Sequence, residues 1–576
     1  MNFLDFPKEL LLKICSYLPI TAVLTHKIVS KGLKGIMEEF IKSLFSDEKN
    51  RLLMGRDNKF KSTLKYQCSL EKVRKRAYLG FAEGRERESA YLSWHKASPL
   101  TEYGKEYYRL SSGDCYAYYS IEEIEDKVRD VMECLGWPAR NWDVSRSNDL
   151  SFLFVNCESF NEDISSWDVS NVKSMAYMFI LCRSFNQNLS AWNTAKLEST
   201  EGMFLGAEIF DGEMFLNVNE VTNFNHTFSN CFVFNSDISR WNTSKATSMD
   251  SMFASAAHFN SDIGGWDTKN VTSMIGMFKG SIMFNQDISG WNVNKVSDMS
   301  HMFENTSVYH GEGEIHRSAF NCDLYKWGYC PNLLYTRCMF KNATAFNGRF
   351  VDPDGDTKFQ FDEVKECQSM FEGCAQFNQP LGSNFGKVEN MSRMFYGAEA
   401  FNQDMVIKSS RCEDFSKMFY NAKNFNGEFD ILENTFLGES ADMSYMFFNA
   451  RSFNRNISDW KVDTDNMMKN MFCNAISFNQ DMSGWKIYDL LAHRNGIIRY
   501  IDGIFLNCKN LDFCMGNWEC KFDTEHPDFD IHAYFGGADK MLKRFHYRNS
   551  DTCCGTRRCE GFEPRLRLRA RLPPEE

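Results

Sequence analysis

The 576-residue sequence lacks any uncharged apolar run of about 18 residues, the length that a membrane-spanning helix requires. Residues 1–15 also lack the basic segment and the small-residue cleavage site of a secretory signal. These two absences exclude the ordinary membrane-protein pattern. We therefore expect a cytoplasmic protein without a membrane partner.

Catalytic motifs are missing as well. The chain contains no GxSxG, P-loop, HExxH or paired CxxC motif, and its 11 histidines are scattered. Near His546, the cysteines at 553, 554 and 559 form CC-x4-C, which is not zinc-ligand spacing. We expect no enzyme activity, no cofactor and no metal site.

One acidic segment resembles a calcium-binding loop. Asp352, Asp354, Asp356 and Glu363 match positions 1, 3, 5 and 12 of a calcium-binding loop, but the glycine, Gly355, stands at position 4 instead of 6. A solvated acidic loop is therefore the favoured interpretation, with calcium as the alternative.

Large apolar residues are abundant in a polar background. The sequence has 51 Phe, 22 Tyr, 12 Trp and 29 Met, yet its mean hydropathy is -0.44. A disordered chain would not carry so many aromatic residues. The composition indicates that a few apolar types recur at regular positions.

A repeat of about 25 residues explains this composition. It is clearest in FNEDISSWDVSNVKSMAYMF at 160–179 and FNQDISGWNVNKVSDMSHMF at 284–303. The Phe that begins each coil stands at 160, 185, 210, 234, 259, 284, 320, 346, 377, 401, 425, 453, 478 and 513. We predict an α/β repeat solenoid, leucine-rich-repeat-like, with about 14 coils over residues 139–520.

Each coil is predicted to contain a helical turn, a short strand and a polar corner. Met175, Met178, Phe179, Cys182 and Phe185 have the spacing of one helix face. The NxDIS segment that follows the coil Phe reads as a short strand, and WDVSNV supplies the turn residues. The position three residues before the coil Phe is small, being Cys157, Cys182, Ala207, Cys231, Ala256, Ser281, Ala343, Cys374, Ala398, Ala422, Ala450 or Ala475.

Asparagine follows the coil Phe in most coils. Stacking would place these amides above one another, where they satisfy backbone groups and each other. We predict an asparagine ladder, with a row of ligand-binding amides as the alternative. The residues are Asn161, Asn186, Asn235, Asn260, Asn285, Asn321, Asn347, Asn378, Asn402, Asn426, Asn454 and Asn479.

Charge is unevenly distributed. Residues 1–140 carry 24 basic and 20 acidic side chains, residues 141–540 carry 32 and 52, and residues 541–576 carry 9 and 5. The acidic middle would repel a phosphate backbone, so nucleic acid is an unlikely ligand for the repeat. A protein target with a basic face is the expected partner. Insertions at 304–319, 347–364 and 486–500 are expected to form loops on one face.

The first residues resemble an F-box. Three short amphipathic helices are predicted in residues 6–44, and the family pattern is present as FPKEL at 6–10, ICSYL at 14–18 and VSK at 29–31. The resemblance implies a small all-α domain over 1–45 that docks on a Skp-family adaptor, and through it on a cullin. An ordinary helical cap is the alternative. The implied adaptor-binding residues are Pro7, Leu10, Ile14, Leu18, Leu24, Val29 and Lys31.

The repeat itself resembles the BspA-like, mycoplasma-lipoprotein type of surface repeat over residues 142–513. That family is often found on bacterial surfaces, and F-box plus repeat chains also occur in large DNA viruses of protists, where the location would be the host cytoplasm. We read residues 46–138 as a linker ending in a cap helix, and 521–576 as a C-terminal cap with a mobile basic tail.

Two functions follow from these resemblances. The first is the substrate-recognition subunit of a cullin-RING ubiquitin ligase. The alternative is a surface adhesin or structural repeat protein without a ligase role. A third hypothesis, nucleic-acid binding through basic residues 51–100 or the Arg-rich tail, predicts a steep salt dependence.

Overall fold

The computed structural model describes residues 100–102, 105–107, 139–512 with gaps, and 536–540. The gaps within 139–512 are 143, 215, 306–317, 356–357, 383–384, 410, 432–440, 461, 463–466, 483–484 and 486–501. The chain divides into two units, Met1–Lys245 and Ala246–Glu576. The predicted F-box, the cap helix, the 486–500 insertion and the basic tail lie outside the described residues.

Regular secondary structure is sparse in the described residues. In the first unit, strand β1 (Leu100–Glu102) pairs antiparallel with β2 (Lys105–Tyr107), within the segment predicted as a linker. A 3-10 helix spans Ala139–Asn141. In the second unit a 3-10 helix spans Tyr325–Trp327, and β3 (Met405–Ile407) pairs in parallel with β4 (Phe429–Ile431).

Both units are built from stacked coils, which confirms the repeat solenoid. Equivalent residues of successive coils form parallel bridges. In the first unit these are Asp149 to Ser174 to Ser199 to Asn223. In the second, one series runs from Ser248 through Ser273, Asp298, Tyr335, Glu366, Asn390, Asp414 and Asp442 to Met467.

The helical turn predicted for the MxxMF segment is wrong. In residues 175–182 the chain forms two successive β-turns instead: Met178 N–H donates to the Met175 carbonyl at 3.1 Å, and Cys182 N–H to the Phe179 carbonyl at 3.0 Å. The third residue of each turn, Tyr177 or Leu181, has a φ of 56° or 58°, the left-handed value of a type II turn. The predicted α component is therefore absent from the described coils, although the predicted apolar residues are buried.

The physical reason lies in where the remaining N–H groups point. A helix would direct each N–H along its own axis and leave none for the neighbouring coil. Here the alternate N–H groups cross to the next coil at 2.7–3.1 Å. Their donors are Met175, Tyr177, Phe179 and Leu181, and their acceptors are the carbonyls of Ser199, Glu201, Met203 and Leu205.

The predicted strand after the coil Phe is regular only in the second unit at β3 and β4. Both strands occupy the NxDIS position, after Phe401 and Phe425 respectively. In the other described coils this segment carries no assigned strand. The NxDIS pattern thus predicts an extended backbone but not a continuous ladder.

Stacked aromatic rings form the core of each unit. In the first unit, Phe179 and Phe185 stack within one coil at 4.1 Å between centroids, and each stacks on its counterpart in the next coil, at 5.4 Å to Phe204 and 5.7 Å to Phe210. In the second unit, Trp266 stacks on Trp291 at 6.5 Å. The excess of Phe is therefore buried scaffold, as predicted.

The asparagine ladder is confirmed. In the first unit the side-chain oxygen of Asn161 accepts the Asn186 N–H at 2.9 Å, and in the second Asn378 accepts from Asn402 at 2.9 Å. Asp211 replaces the asparagine of its coil and still accepts the Asn235 N–H at 2.9 Å. The essential feature is thus a side-chain acceptor, and these amides serve the scaffold.

Two further side chains bond between coils in ways that the sequence pattern did not predict. In the first unit, Trp192 Nε1 donates to the Ile164 carbonyl at 3.1 Å, and the Cys182 thiol donates to the Phe154 carbonyl at 3.0 Å. The small position therefore accommodates a donor as well as an apolar atom. Because burial raises the pKa of Cys182, it stays a thiol.

Two details of the second unit differ from the sequence prediction. The 347–364 insertion is not wholly solvated, since Phe350, Phe359 and Phe361 are buried and only the tip around Asp354 is exposed. The last coil begins at Leu511, which is fully buried, and not at Phe513. Leu511 follows the preceding MxxMF-type Phe by six residues, the spacing that the other coils show except the one that begins at Phe320.

Truncating a core ring in the second unit should be costly. Phe278 is 2% exposed and stacks on Phe284 at 3.9 Å and on Phe303 at 5.7 Å. We expect Phe278→Ala to lower the free energy of unfolding by about 3–5 kcal/mol because it removes a ring and leaves a cavity. Met283→Ala, at a residue 50% exposed, is the control and should change stability little in denaturant unfolding.

Two substitutions in the asparagine ladder should differ in their effect on stability and hydrogen exchange. Asn402 accepts the Asn426 N–H at 2.7 Å, so Asn402→Ala should cost about 1 kcal/mol and speed hydrogen exchange of the Asn426 amide. Asn402→Asp keeps the acceptor, as Asp211 does in the first unit, and should preserve that protection. Equal exchange in both variants would contradict the ladder's role.

Candidate binding surface

Most of the predicted site residues lie outside the described part of the chain. The adaptor-binding set Pro7, Leu10, Ile14, Leu18, Leu24, Val29 and Lys31 lies outside it, as do residues 306–317 and 486–500. The prediction of an F-box surface therefore stays a prediction.

Residues 352–363, which resemble a calcium-binding loop, are partly described. Glu363, the twelfth position of the pattern, accepts a hydrogen bond from the Tyr329 hydroxyl at 3.2 Å and pairs with Lys387. It is thus engaged by a cation of the protein. Within the described residues, no group of three or more His, Cys, Asp or Glu side chains could hold a metal ion.

A cluster of half-buried aromatic side chains lies on the second unit, and we call it the aromatic strip. It comprises Tyr396, Tyr420, Tyr445 and Phe448. Tyr396, Tyr420 and Phe448 each directly follow MxxMF, or its DFSKMF variant, in three successive coils. Because the coils stack in register, this position repeats as a column on the surface.

The strip is a continuous stack. Tyr396 and Tyr420 lie 4.6 Å apart with 5° between their planes, and Tyr420 and Phe448 have the same separation and angle. Tyr445 is tilted by 50° against Phe448 at 5.9 Å. Both faces of Tyr420 are covered by neighbouring rings, so its exposed part is the ring edge.

One end of the strip is closed by a guanidinium. Arg393 lies over the Tyr396 ring with Cζ 4.3 Å from the centroid. Two hydrogen bonds to Glu372, at 2.8 and 2.9 Å, hold the guanidinium in place, and Lys341 lies 3.3 Å from the same carboxylate. Arg393 is therefore a fixed part of the surface.

Three other cations belong to the same coils. Lys417 lies 5.7 Å from the Tyr445 ring centroid, and the carbonyl of Lys469, whose side chain is exposed, accepts the Tyr445 N–H at 2.7 Å. Arg451 is exposed as well. Arg451 Nε donates to the Asn449 side chain at 3.0 Å. None of the three makes an ion pair with a described residue, whereas Lys341 and Arg393 both do.

Ionisation at the strip follows from its packing. Burial raises the pKa of Tyr420, and the neighbouring Tyr396 adds to the effect. The hydroxyl therefore stays protonated at neutral pH and is a donor. Burial also tends to raise the pKa of Glu372, but the hydrogen bonds from Arg393 and Ser369 and the charge of Lys341 outweigh it and lower the pKa.

The strip was not predicted from the sequence. No role was assigned to the residue after MxxMF, yet the signal is visible as MFYG, MFYN and MFFN at 394–397, 418–421 and 446–449. Reading the repeats in alignment, one position at a time, would have found it. The neighbouring cations are not in one column and have no comparable signal.

The coils, ladders and bridges define the class of this molecule as a turn-based solenoid repeat protein. The chain belongs to the family described as "Mycoplasma protein of unknown function, DUF285", whose model matches residues 123–215, 214–315, 408–502 and 432–540. This is the BspA-like repeat family that the sequence resembles.

Other comparisons add little. No curated protein matches the chain. A solved structure described as "Crystal structure of TLR13-ssRNA13 complex" is similar at 10% identity and a TM-score of 0.17, over 59% of this chain and 46% of that one. This chain therefore spans less than half the length of that protein. Among the described residues, no helix is long and apolar enough to cross a membrane.

The lowered pKa of Glu372 predicts that its contribution to the free energy of unfolding depends on pH. Its pKa is lowered by folding, so its contribution is present above the ordinary value of 4.5 and is lost as pH falls through the folded value. We expect Glu372→Gln to cost about 1.5–3 kcal/mol at pH 7, and the difference from wild type to shrink in acid.

Denaturant unfolding at several pH values measures this effect. Glu399→Gln is the matched control, because Glu399 pairs with Lys423 but both side chains are largely exposed. Its cost should stay below about 1 kcal/mol. A Glu372→Gln cost that is the same at pH 7 and pH 3 would contradict the assignment.

Proposed function

We propose that this protein is a binding protein whose solenoid holds a protein target, and that it acts in the cytoplasm as the substrate-recognition subunit of a Skp–cullin–F-box ubiquitin ligase. We propose no enzyme activity of its own. The observation that supports target binding is the aromatic strip. Half-buried aromatic and arginine side chains on a rigid scaffold are the residue types that dominate protein interfaces.

The scaffold explains why binding is the favoured role. The Phe and Met side chains of the MxxMF segments, the coil Phe and the repeat Trp are packed inward in the described coils, and the backbone N–H groups are used within and between coils. What the units present outward is a fixed array of side chains at regular spacing. Such an array suits recognition of an extended or folded protein surface.

The ligase part of the proposal is supported by sequence. FPKEL, ICSYL and VSK stand in the order and spacing of an F-box, and the module precedes the repeat as it does in receptors of that type. In this proposal the first 45 residues bind the adaptor and cullin assembly. The repeat units then bring the target to it.

The second candidate is a surface or structural repeat protein without a ligase role. Membership of the mycoplasma repeat family favours it, because such repeats resemble those often found on bacterial surfaces. It requires no adaptor. The two candidates therefore differ in a single interaction.

Co-purification of the full chain with a recombinant Skp-family adaptor separates them. Leu10→Asp combined with Ile14→Asp should abolish the complex, because both residues lie on the apolar face of the predicted helix. Ser16→Asp places the same charge on the opposite face and should leave binding intact. Failure of the wild-type chain to bind any Skp-family adaptor would favour the second candidate.

A further inference from the structure

The aromatic strip and its bordering cations have a chemistry that selects its occupant. Ring edges carry the positive part of the aromatic quadrupole, and the faces carry the negative part. Neighbouring rings at 4.6 Å cover both faces of Tyr420, and Arg393 covers one face of Tyr396. The strip therefore offers edges and phenol hydroxyls, which favour acceptors and anions.

This geometry disfavours ligands that bind by stacking a flat ring on an aromatic face. Nucleic-acid bases gain their sequence-independent affinity by stacking on open aromatic faces. The central ring of the strip has no open face, because its neighbours lie within 5° of parallel on both sides. A base would have to disrupt the stack in order to bind.

The bordering cations set the charge. Lys417, Lys469 and Arg451 make no ion pair with a described residue. The nearby carboxylates are engaged in the turns: Asp414 accepts the Ser416 N–H at 2.9 Å, and Asp442 accepts the Ser444 N–H at 2.8 Å. An anionic ligand would find Lys417 beside the Tyr445 ring, and Lys469 in the coil whose carbonyl accepts the Tyr445 N–H, without displacing an ion pair to a described residue.

We propose that the aromatic strip docks an acidic, extended segment of a partner protein. Its carboxylates would pair with Lys417, Lys469 and Arg451, and its apolar side chains would pack against the half-buried edges of Tyr445 and Phe448. A nucleic acid is disfavoured because the central ring of the strip has no open face on which a base could stack. The inference deepens the proposed target-binding role but does not depend on the F-box.

An acidic occupant differs from the expected protein target with a basic face. The average charge of the repeat predicts a basic partner, while the strip is a local exception with three cations that make no ion pair with a described residue. The average charge of the repeat does not describe the charge at one surface column, because salt limits the range of each charge to about 8–10 Å.

Fluorescence anisotropy with the full chain tests the proposal. The probes are a fluorescein-labelled decapeptide of alternating Glu and Gly with a central Leu, its counterpart with Lys in place of Glu, and a labelled ten-nucleotide poly-dT strand. We expect the Glu peptide to bind and to weaken as salt rises, and the Lys peptide and the oligonucleotide to bind at least about tenfold more weakly.

Lys417→Glu combined with Lys469→Glu should weaken Glu-peptide binding about tenfold or more. Both side chains are at the surface, so folding should be preserved, and thermal unfolding verifies this. Lys295→Glu, at an exposed lysine whose Nζ donates to Asn270, is the matched control and should leave binding unchanged.

Three results would overturn the proposal. They are no detectable binding of the Glu peptide to the wild-type chain, equal affinity of the double variant, and tighter binding of the Lys peptide or of the oligonucleotide. Adaptor co-purification is read separately. Peptide binding without adaptor binding would leave the strip assigned and remove only the ligase role.

Discussion

The structure depends on how the backbone divides its N–H groups. In each MxxMF segment, one N–H closes a turn within its coil and the next donates to the coil above, as at Met178 and Phe179. In residues 175–182 every backbone N–H thereby has a partner without a helix or a wide sheet. The arrangement requires a left-handed residue in each of these turns, which is Tyr177 or Leu181 in one coil and Gly202 or Gly206 in the next. Stacking of identical coils supplies the compensation for that strain.

The aromatic columns follow from this backbone ladder. Once the coils are held in register, any residue type that repeats at one position is stacked on itself, whether inside, as Phe179 on Phe204, or outside, as Tyr396 on Tyr420. The interior columns stabilise the fold by burying apolar surface, and the exterior columns form a surface whose composition can vary. The scaffold and the binding surface are thus set by different positions of one repeat.

Sequence reasoning reached the repeat, the buried positions and the asparagine ladder, because each depends on spacing alone. It did not reach the turn conformation: apolar residues at i, i+3 and i+4 are compatible with a helix and with two consecutive β-turns. The deciding factor is hydrogen bonding between coils, which no single coil encodes. It also placed the last coil at Phe513, since Leu511 fills the same site with a different apolar residue. The aromatic strip was accessible in principle, but only by comparing one variable position across coils.

The same logic separates what the repeat can change from what it cannot. Asn161 and Asp211 are interchangeable because the ladder needs only an acceptor oxygen, and Cys182 and Ala207 are interchangeable because their site needs only a small side chain. The residue after MxxMF meets neither requirement, and in the strip it contacts its counterparts, Arg393 or Tyr445, and the solvent. Three aromatic residues in succession there gain stacking energy but no burial comparable to the core. A surface that keeps rings half-exposed, beside cations without carboxylate partners in the described residues, is therefore better explained by a ligand than by the needs of the solenoid.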